Sequence, residues 1–268
     1  MATADSKFEG SIPQFYERYM GPLFFEPYAN DLASRLTQLS SGNLLELAAG
    51  TGILSRALAR SLTSAVSIVS TDLNPAMLDH AAVLSDKRIA FRQADAQQLP
   101  FPEQSFDCVV CQFGTMFFPD KVAAYREARR VLKPGGHFLF SVWDRLEYNE
   151  LSSAAMQAIR HFLGDNPPSF ISRTPFGYFD TELIQRHLHE AAFTSSSFET
   201  VSLRCHAGSA RDSALGLVQG SPLRNELAAL GPRLVDKVTD AITTFLTSRF
   251  GPGPFDTHMQ AHVFRALR

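Results

Sequence analysis

The chain has 268 residues, of which 45% are hydrophobic and 19% charged, with a formal net charge of -2. That length can bury a sizeable core, as one large α/β domain or two small ones. The near-neutral balance leaves no basic footprint for a phosphate backbone, and no run of about 18 apolar residues offers a membrane span, so neither nucleic acid nor membrane is an expected partner. Met1 to Gly10 carries Asp5, Lys7 and Glu9 without an apolar run. The expectation is therefore a cytoplasmic protein with no targeting segment. Three cysteines, an odd number, argue against a disulfide scaffold. Cys108 and Cys111 have C-x-x-C spacing but lie in an apolar, strand-like run. Alternation puts positions three apart on opposite faces, so they are expected in the core rather than on a metal.

In chain order, the first feature is an aromatic arm, Phe15 to Phe25, followed by an amphipathic helix over Tyr28 to Leu39. Leu44 to Gly52 then reads as a strand entering a glycine turn, with a helix from Ile53 to Arg60. Gly50 and Gly52 let backbone approach a ligand, and the helix start adds unpaired N–H groups. Such turns also occur in α/β proteins that bind nothing there. Glu46 stands out, because a carboxylate at a buried strand end needs a donor or a cation.

Val66 to Thr71 is a β-branched strand ending at Asp72, twenty positions beyond Gly52. At that distance an acidic residue on a second strand reaches the ribose hydroxyls of a nucleotide. Asn74-Pro75 opens the next helix. Further strands are expected at Arg88 to Gln93, Phe106 to Phe113 and His137 to Trp143, with a helix from Lys121 to Leu132 stopped by Pro134-Gly135-Gly136. This alternation implies a parallel, doubly wound sheet, whose ligands bind outside the carboxyl ends of the strands. Glu46, Asp72, Asp95 and Gln112 all fall at such ends.

Beyond Trp143, helices are expected over Leu151 to Leu163 and Thr181 to Ala192, with a loop over Asn166 to Phe179. The last two strands are expected at Phe198 to Cys205 and Ala261 to Leu267. A helical insertion or lid, Ser209 to Phe250, separates them. No His, Cys or carboxylate cluster has metal-ligand spacing, so no metal is expected. His206 is the one candidate base, because it directly follows the proposed sixth strand.

Glu46-Leu-Ala-Ala-Gly50-Thr-Gly52, Asp72-Leu-Asn, Asp95-Ala96, Phe106-Asp107 and Leu132-Lys-Pro-Gly-Gly136 occur in an order that resembles the successive motifs of class I S-adenosylmethionine-dependent methyltransferases. The resemblance covers about Leu44 to Trp143 and is nearest to the small-molecule branch with the ubiquinone and menaquinone C-methyltransferases. Ala48 departs from it, where the family often has a third glycine. The resemblance implies a Rossmann-like, mostly parallel seven-stranded sheet ordered 3-2-1-4-5-7-6, with helices on both faces. It implies S-adenosyl-L-methionine as cofactor, with Glu46, Ala48 and Gly50 at its methionine end and Gly52 in the same turn. Asp72 would hold the ribose and Leu73 and Met77 would flank the adenine. Asp95 and Ala96 would meet the adenine's polar edge, and Gln112, Phe113 and Tyr19 would close the site.

Tyr16, Phe24, Met116, Phe117, Trp143 and Phe176 remain for a small apolar or aromatic methyl acceptor. Residues 1–268 are expected to form one domain, monomeric or homodimeric. It comprises a cofactor core over 30–145, the arm over 1–29, and substrate-side elements over 146–195 and 209–256. Two rivals stay open. One is a nicotinamide-dependent dehydrogenase, which shares the glycines and the acidic second strand but not Ser55 or Glu46. The other is a methyltransferase fold repurposed for rearrangement or interaction.

Overall fold

The computed structural model describes residues 4–164 and 167–268. Residues 1–3 and 165–166, the latter including Asn166 at the start of the expected loop, lie outside the described residues. Seven strands form one sheet: β1 (Gly42–Glu46), β2 (Val66–Asp72), β3 (Ile89–Gln93), β4 (Phe106–Gln112), β5 (Leu132–Trp143), β6 (Ser195–Ala207) and β7 (Phe255–Leu267). Their order is β3-β2-β1-β4-β5-β7-β6. β1 to β5 pair in parallel, whereas β7 runs antiparallel to both β5 and β6. The chain leaves β1 for β2 on one side and later returns to β4 on the other. That reversal opens a crevice at the carboxyl ends of β1 and β4.

Helices α1 (Ile12–Phe15), α2 (Glu26–Ser34), α3 (Ile53–Ser61), α4 (Pro75–Leu84) and α5 (Lys121–Val131) accompany the first five strands. Between β5 and β6 come α6 (Glu150–Leu163), α7 (Phe170–Arg173) and α8 (Thr181–Glu190), and between β6 and β7 come α9 (Ala210–Gln219), α10 (Leu223–Leu230) and α11 (Leu234–Phe250). Helices cover both faces of the sheet, so the central strands are apolar on both sides. Leu44, Leu45, Val109, Val110, Phe138 and Phe140 are all fully buried. Cys108 and Cys111 are buried, unpaired thiols among them, and burial raises the Cys108 thiol to about 12.

The aromatic arm differs from a plain packing helix. Between α1 and α2, residues Tyr16–Phe25 are π-helical with Pro22 inside, and the Glu26 N–H donates to the Gly21 carbonyl, five residues back. Proline has no N–H to give the regular ladder and its ring crowds the preceding turn, which the wider winding accommodates. β5 begins at Leu132, earlier than expected, with an irregularity opposite Phe106 and Cys108 that absorbs the Pro-Gly-Gly stretch. β6 and β7 are each several residues longer than expected and pair along their whole length. Among the described residues no helix is long and apolar enough to cross a membrane.

Candidate active site

The strand ends and the helices above them enclose a cavity of about 1400 Å³, counted to its open mouth. Its polar wall starts at the turn after β1, where Ala48, Gly50 and Gly52 all have positive φ. A non-glycine residue there costs roughly 1–2 kcal/mol, and Ala48 also demands space. A Cβ on Gly114 would stand 2.5 Å from the Ala48 Cβ, so the alanine at 48 requires the glycine at 114. Gly50 faces the opposite way: a Cβ there would meet only Met77 Cε at 3.7 Å and the Tyr16 hydroxyl at 3.9 Å, both on the cavity wall. The turn is held open toward a ligand by the missing side chain.

Asp72, the last residue of β2, is buried and ties this turn in place. Its Oδ2 accepts from the Gly50 N–H (2.9 Å), and its Oδ1 from the Asn74 N–H (2.8 Å) and Asn74 Nδ2 (3.2 Å). Burial raises its pKa, while the backbone N–H groups of Asn74 and Gly50 pull the other way. Past the end of β3, Asp95 Oδ1 accepts from the Gln97 N–H at 2.9 Å, forming a tight polar turn. At the end of β4, Gln112 Nε2 donates to the Phe25 carbonyl at 2.9 Å and so joins the sheet to the π-helical arm.

The opposite wall is aromatic. Phe113 stacks on Trp143 with centroids 3.8 Å apart and planes 6° apart. Tyr16 stacks on Phe25 at 4.7 Å, and Phe24 and Phe176 pack around Trp143 at 6.1 and 5.9 Å. The Tyr16 phenol is pushed up by burial and then by the charges of Asp72 and Glu17, which keeps it a neutral hydrogen-bonding group.

Of the expected cofactor residues, Ala48, Gly50, Asp72, Leu73, Met77, Asp95, Ala96, Gln112 and Phe113 line this one cavity. So do Tyr16, Phe24, Phe117, Trp143 and Phe176 from the expected acceptor set. Five residues lie elsewhere. Glu46 sits behind the turn, 1% exposed, where Ser70 (2.7 Å) and Ser55 donate to its Oε2. The register of β1 on β2 sets Glu46 against Ser70. Burial raises its pKa to about 7, against the pull of the two serine hydroxyls. Gly52 caps α3, where a Cβ would come within 3.1 Å of Ala81 and Ser85 on and after α4; its role is helix packing.

Tyr19 falls on another face of the arm, packed against Phe15 and α9. Met116 is buried in the turn after β4, and its neighbour Phe117 takes the cavity position. His206 belongs to β6 rather than following it. Its exposed ring pairs with Asp256 across the β6–β7 ladder at 2.7 Å, outside the cavity.

Residues 45–140 match the family described as "Methyltransferase domain". These residues form a methyltransferase domain. The ubiquinone/menaquinone biosynthesis C-methyltransferase UbiE of Cellvibrio japonicus is 42% identical over 117 residues, which are 42% of this chain and 47% of that protein. The chain thus spans about half the length of the curated relative it matches. The fold extends further. The YcgJ protein of Bacillus subtilis superposes with a TM-score of 0.58 at 17% identity, over 89% of this chain and 98% of its own. The Haemonchus contortus phosphoethanolamine N-methyltransferase 2, solved with S-adenosyl-L-methionine, superposes with a TM-score of 0.61 at 17% identity, over 100% of this chain and 60% of its own.

The methyltransferase domain supplies the polar wall of the cavity, and flanking segments supply much of the aromatic one. Phe8, Met20 and Phe25 come from before it, and Asn149, Ser152, Phe170, Ile171, Leu217, Gly220 and Ser221 from after it. The sequence reading did not single these residues out. It had placed them in the arm over 1–29 and in the elements over 146–195 and 209–256 expected on the substrate side, without naming them one by one. Among the described residues no group of three or more His, Cys, Asp or Glu is placed to hold a metal ion.

Proposed function

We propose that the chain transfers a methyl group from S-adenosyl-L-methionine to a small, largely apolar or aromatic acceptor. The observation that carries this reading is the division of one cavity into a wall of polar strand ends and a wall of aromatic rings, meeting at the Phe113–Trp143 stack. The residues fit the cofactor. Asp72 presents a carboxylate with an acceptor site still free on Oδ2 for a ribose hydroxyl, its other sites serving Gly50 and Asn74. The cradle at Gly50 admits the methionine end, and Asp95 and Ala96 offer an acceptor and an N–H to the adenine edge.

When bound, S-adenosyl-L-methionine supplies a methyl group made electrophilic by its sulfonium. The chain's own contribution is to hold the two molecules in line and exclude water, which by itself lowers a displacement barrier substantially. The π-helical arm does both. Tyr16, Met20, Phe24 and Phe25 face the cavity, and Gln112 fastens the arm to the end of β4. Tyr16, Asp72 and Asp95 are the titratable side chains among the described lining residues. Asp72 and Asp95 stand on the cofactor wall, and Tyr16, on the arm, is held neutral by burial and by the nearby charge of Asp72, so the acceptor wall carries no dedicated base.

The test is incubation of pure protein with methyl-labelled cofactor and a panel of small aromatic and aliphatic metabolites, read by mass spectrometry. Transfer to a panel member, with S-adenosylhomocysteine released in equal amount, is the expected result. A protein that binds a nicotinamide dinucleotide in preference to S-adenosylhomocysteine would contradict the proposal.

A further inference from the structure

The acceptor wall is almost entirely carbon, and its few polar groups differ in one respect. Asn149 is fully committed: its Nδ2 donates to the carbonyls of Asp144, Arg145 and Gln260, and its Oδ1 accepts from the Gln260 N–H. Ser221 Oγ donates to the Leu217 carbonyl at 2.7 Å. Ser152 lies in the first turn of α6, 4% exposed, on the cavity wall. Among the described residues its hydroxyl has no hydrogen-bond partner. A serine inside a helix can ordinarily bond back to the carbonyl four residues earlier, and this one does not. A ligand that shields this hydroxyl from water has to supply a partner or leave it unpaired at a cost.

Charge is absent from the same wall. Phe24, Trp143, Phe170, Phe176 and Leu217 surround the acceptor space, and none can neutralise an ion. A charged group brought there would lose its hydration without a counter-charge.

Resting on the methyl-transfer reading above, we infer that Ser152 is a specificity-determining residue. Its hydroxyl hydrogen-bonds the acceptor, which is an uncharged, largely apolar molecule bearing a hydroxyl or carbonyl. Trp143 makes this measurable, because it is the only tryptophan in the chain and lies on that wall. Its fluorescence is titrated at neutral pH with para-chlorophenol, para-chlorotoluene and para-chlorobenzoate, with and without saturating S-adenosylhomocysteine. The phenol should bind about tenfold more tightly than the toluene, the worth of one neutral hydrogen bond, and the benzoate more weakly than either. Ser152→Ala should erase the phenol's advantage and leave the toluene's affinity within about twofold, while Ser152→Thr, which keeps a hydroxyl, should retain the advantage.

A wild type that shows no preference or binds no probe overturns the assignment, and this outcome does not depend on any variant folding. So does a phenol preference that survives in Ser152→Ala, or tightest binding of the benzoate. Failure of S-adenosylhomocysteine to bind, followed separately by calorimetry, would count against the methyl-transfer reading; the probe ranking without it still decides the role of Ser152.

Discussion

The two walls of the cavity are built from the chain in different ways. The cofactor wall is made of residues at the ends of β1, β2, β3 and β4, and its polar groups are bonded to backbone: Asp72 to the Gly50 and Asn74 N–H groups, Asp95 to that of Gln97, Gln112 to the Phe25 carbonyl. Backbone of a central sheet holds these side chains in one place. The acceptor wall comes from the arm, the end of β5 at Trp143, α6, α7 with the loop to Phe176, and α9 with the turn after it, segments more than 200 residues apart at their extremes, from Phe8 to Ser221. Ring stacking and packing hold it together. The first wall suits a ligand that is always the same, whereas the second can change by substitution without disturbing the sheet.

Substitutions that affect one wall and spare the other would sharpen this contrast. The largest effect is expected at Asp72. Asp72→Ala removes the proposed ribose partner and the anchor of the glycine turn, and should weaken S-adenosylhomocysteine by about 2–4 kcal/mol, or roughly 30- to 1000-fold. Calorimetry reads it directly, and an unchanged dissociation constant would remove Asp72 from the site. Next comes Phe176→Ala on the other wall. Losing one buried ring of about 1.5–3 kcal/mol should raise the KM for an acceptor roughly 10- to 100-fold while cofactor affinity stays level. Parallel loss of both would show that the two walls are not separable.

A third prediction concerns pH. The Glu46 carboxyl has its folded pKa raised from 4.5 to about 7 by burial, so the folded state holds a proton that the unfolded chain has already released. The stability linked to Glu46 is therefore full below about pH 4.5, falls as pH rises toward about 7, and is flat above, a span of up to about 3 kcal/mol. Glu46→Gln removes the titration. Thermal unfolding from about pH 5 to about pH 8 should show wild type losing ground to this variant, at roughly 2–4 °C per kcal/mol. Parallel curves would mean that Glu46 stays ionised, served by its two serines.

The smallest effect is expected at His206. His206→Ala removes an exposed contact with Asp256 across the β6–β7 ladder, and surface pairs contribute little. Turnover and melting temperature should match wild type, and a lost pH dependence of turnover would restore this histidine as a base.

These contrasts also explain what the sequence disclosed. The central strands were legible because β1, β2 and β4 carry apolar stretches, Leu44-Leu45, Ile68-Val69 and Cys108 to Cys111, and end in a polar residue, and the ends of successive strands also pointed to Asp72, Asp95 and Gln112. The arm misled at one position, because Tyr19 was placed in the site by the resemblance alone. Tyr16, Met20 and Phe24 reach the cavity, whereas Tyr19 packs against Phe15 and α9. His206 misled because β6 continues to Ala207: with Cys205 and Ala207 facing the core, alternation turns the histidine to solvent. Glu46 did show itself as anomalous, but its partners, Ser55 on α3 and Ser70 on β2, are set by strand register and helix docking. Ser152 left no mark, because a serine in an amphipathic helix looks like any polar position until its surroundings are seen.

The most direct test of the account is a titration of the wild-type protein with S-adenosylhomocysteine and, separately, with a nicotinamide dinucleotide, each followed by calorimetry. The account predicts saturable binding of S-adenosylhomocysteine at one site per chain, abolished or severely weakened in Asp72→Ala, and no comparable heat from the dinucleotide. Tight binding of the dinucleotide, or S-adenosylhomocysteine binding that is indifferent to Asp72, would contradict it.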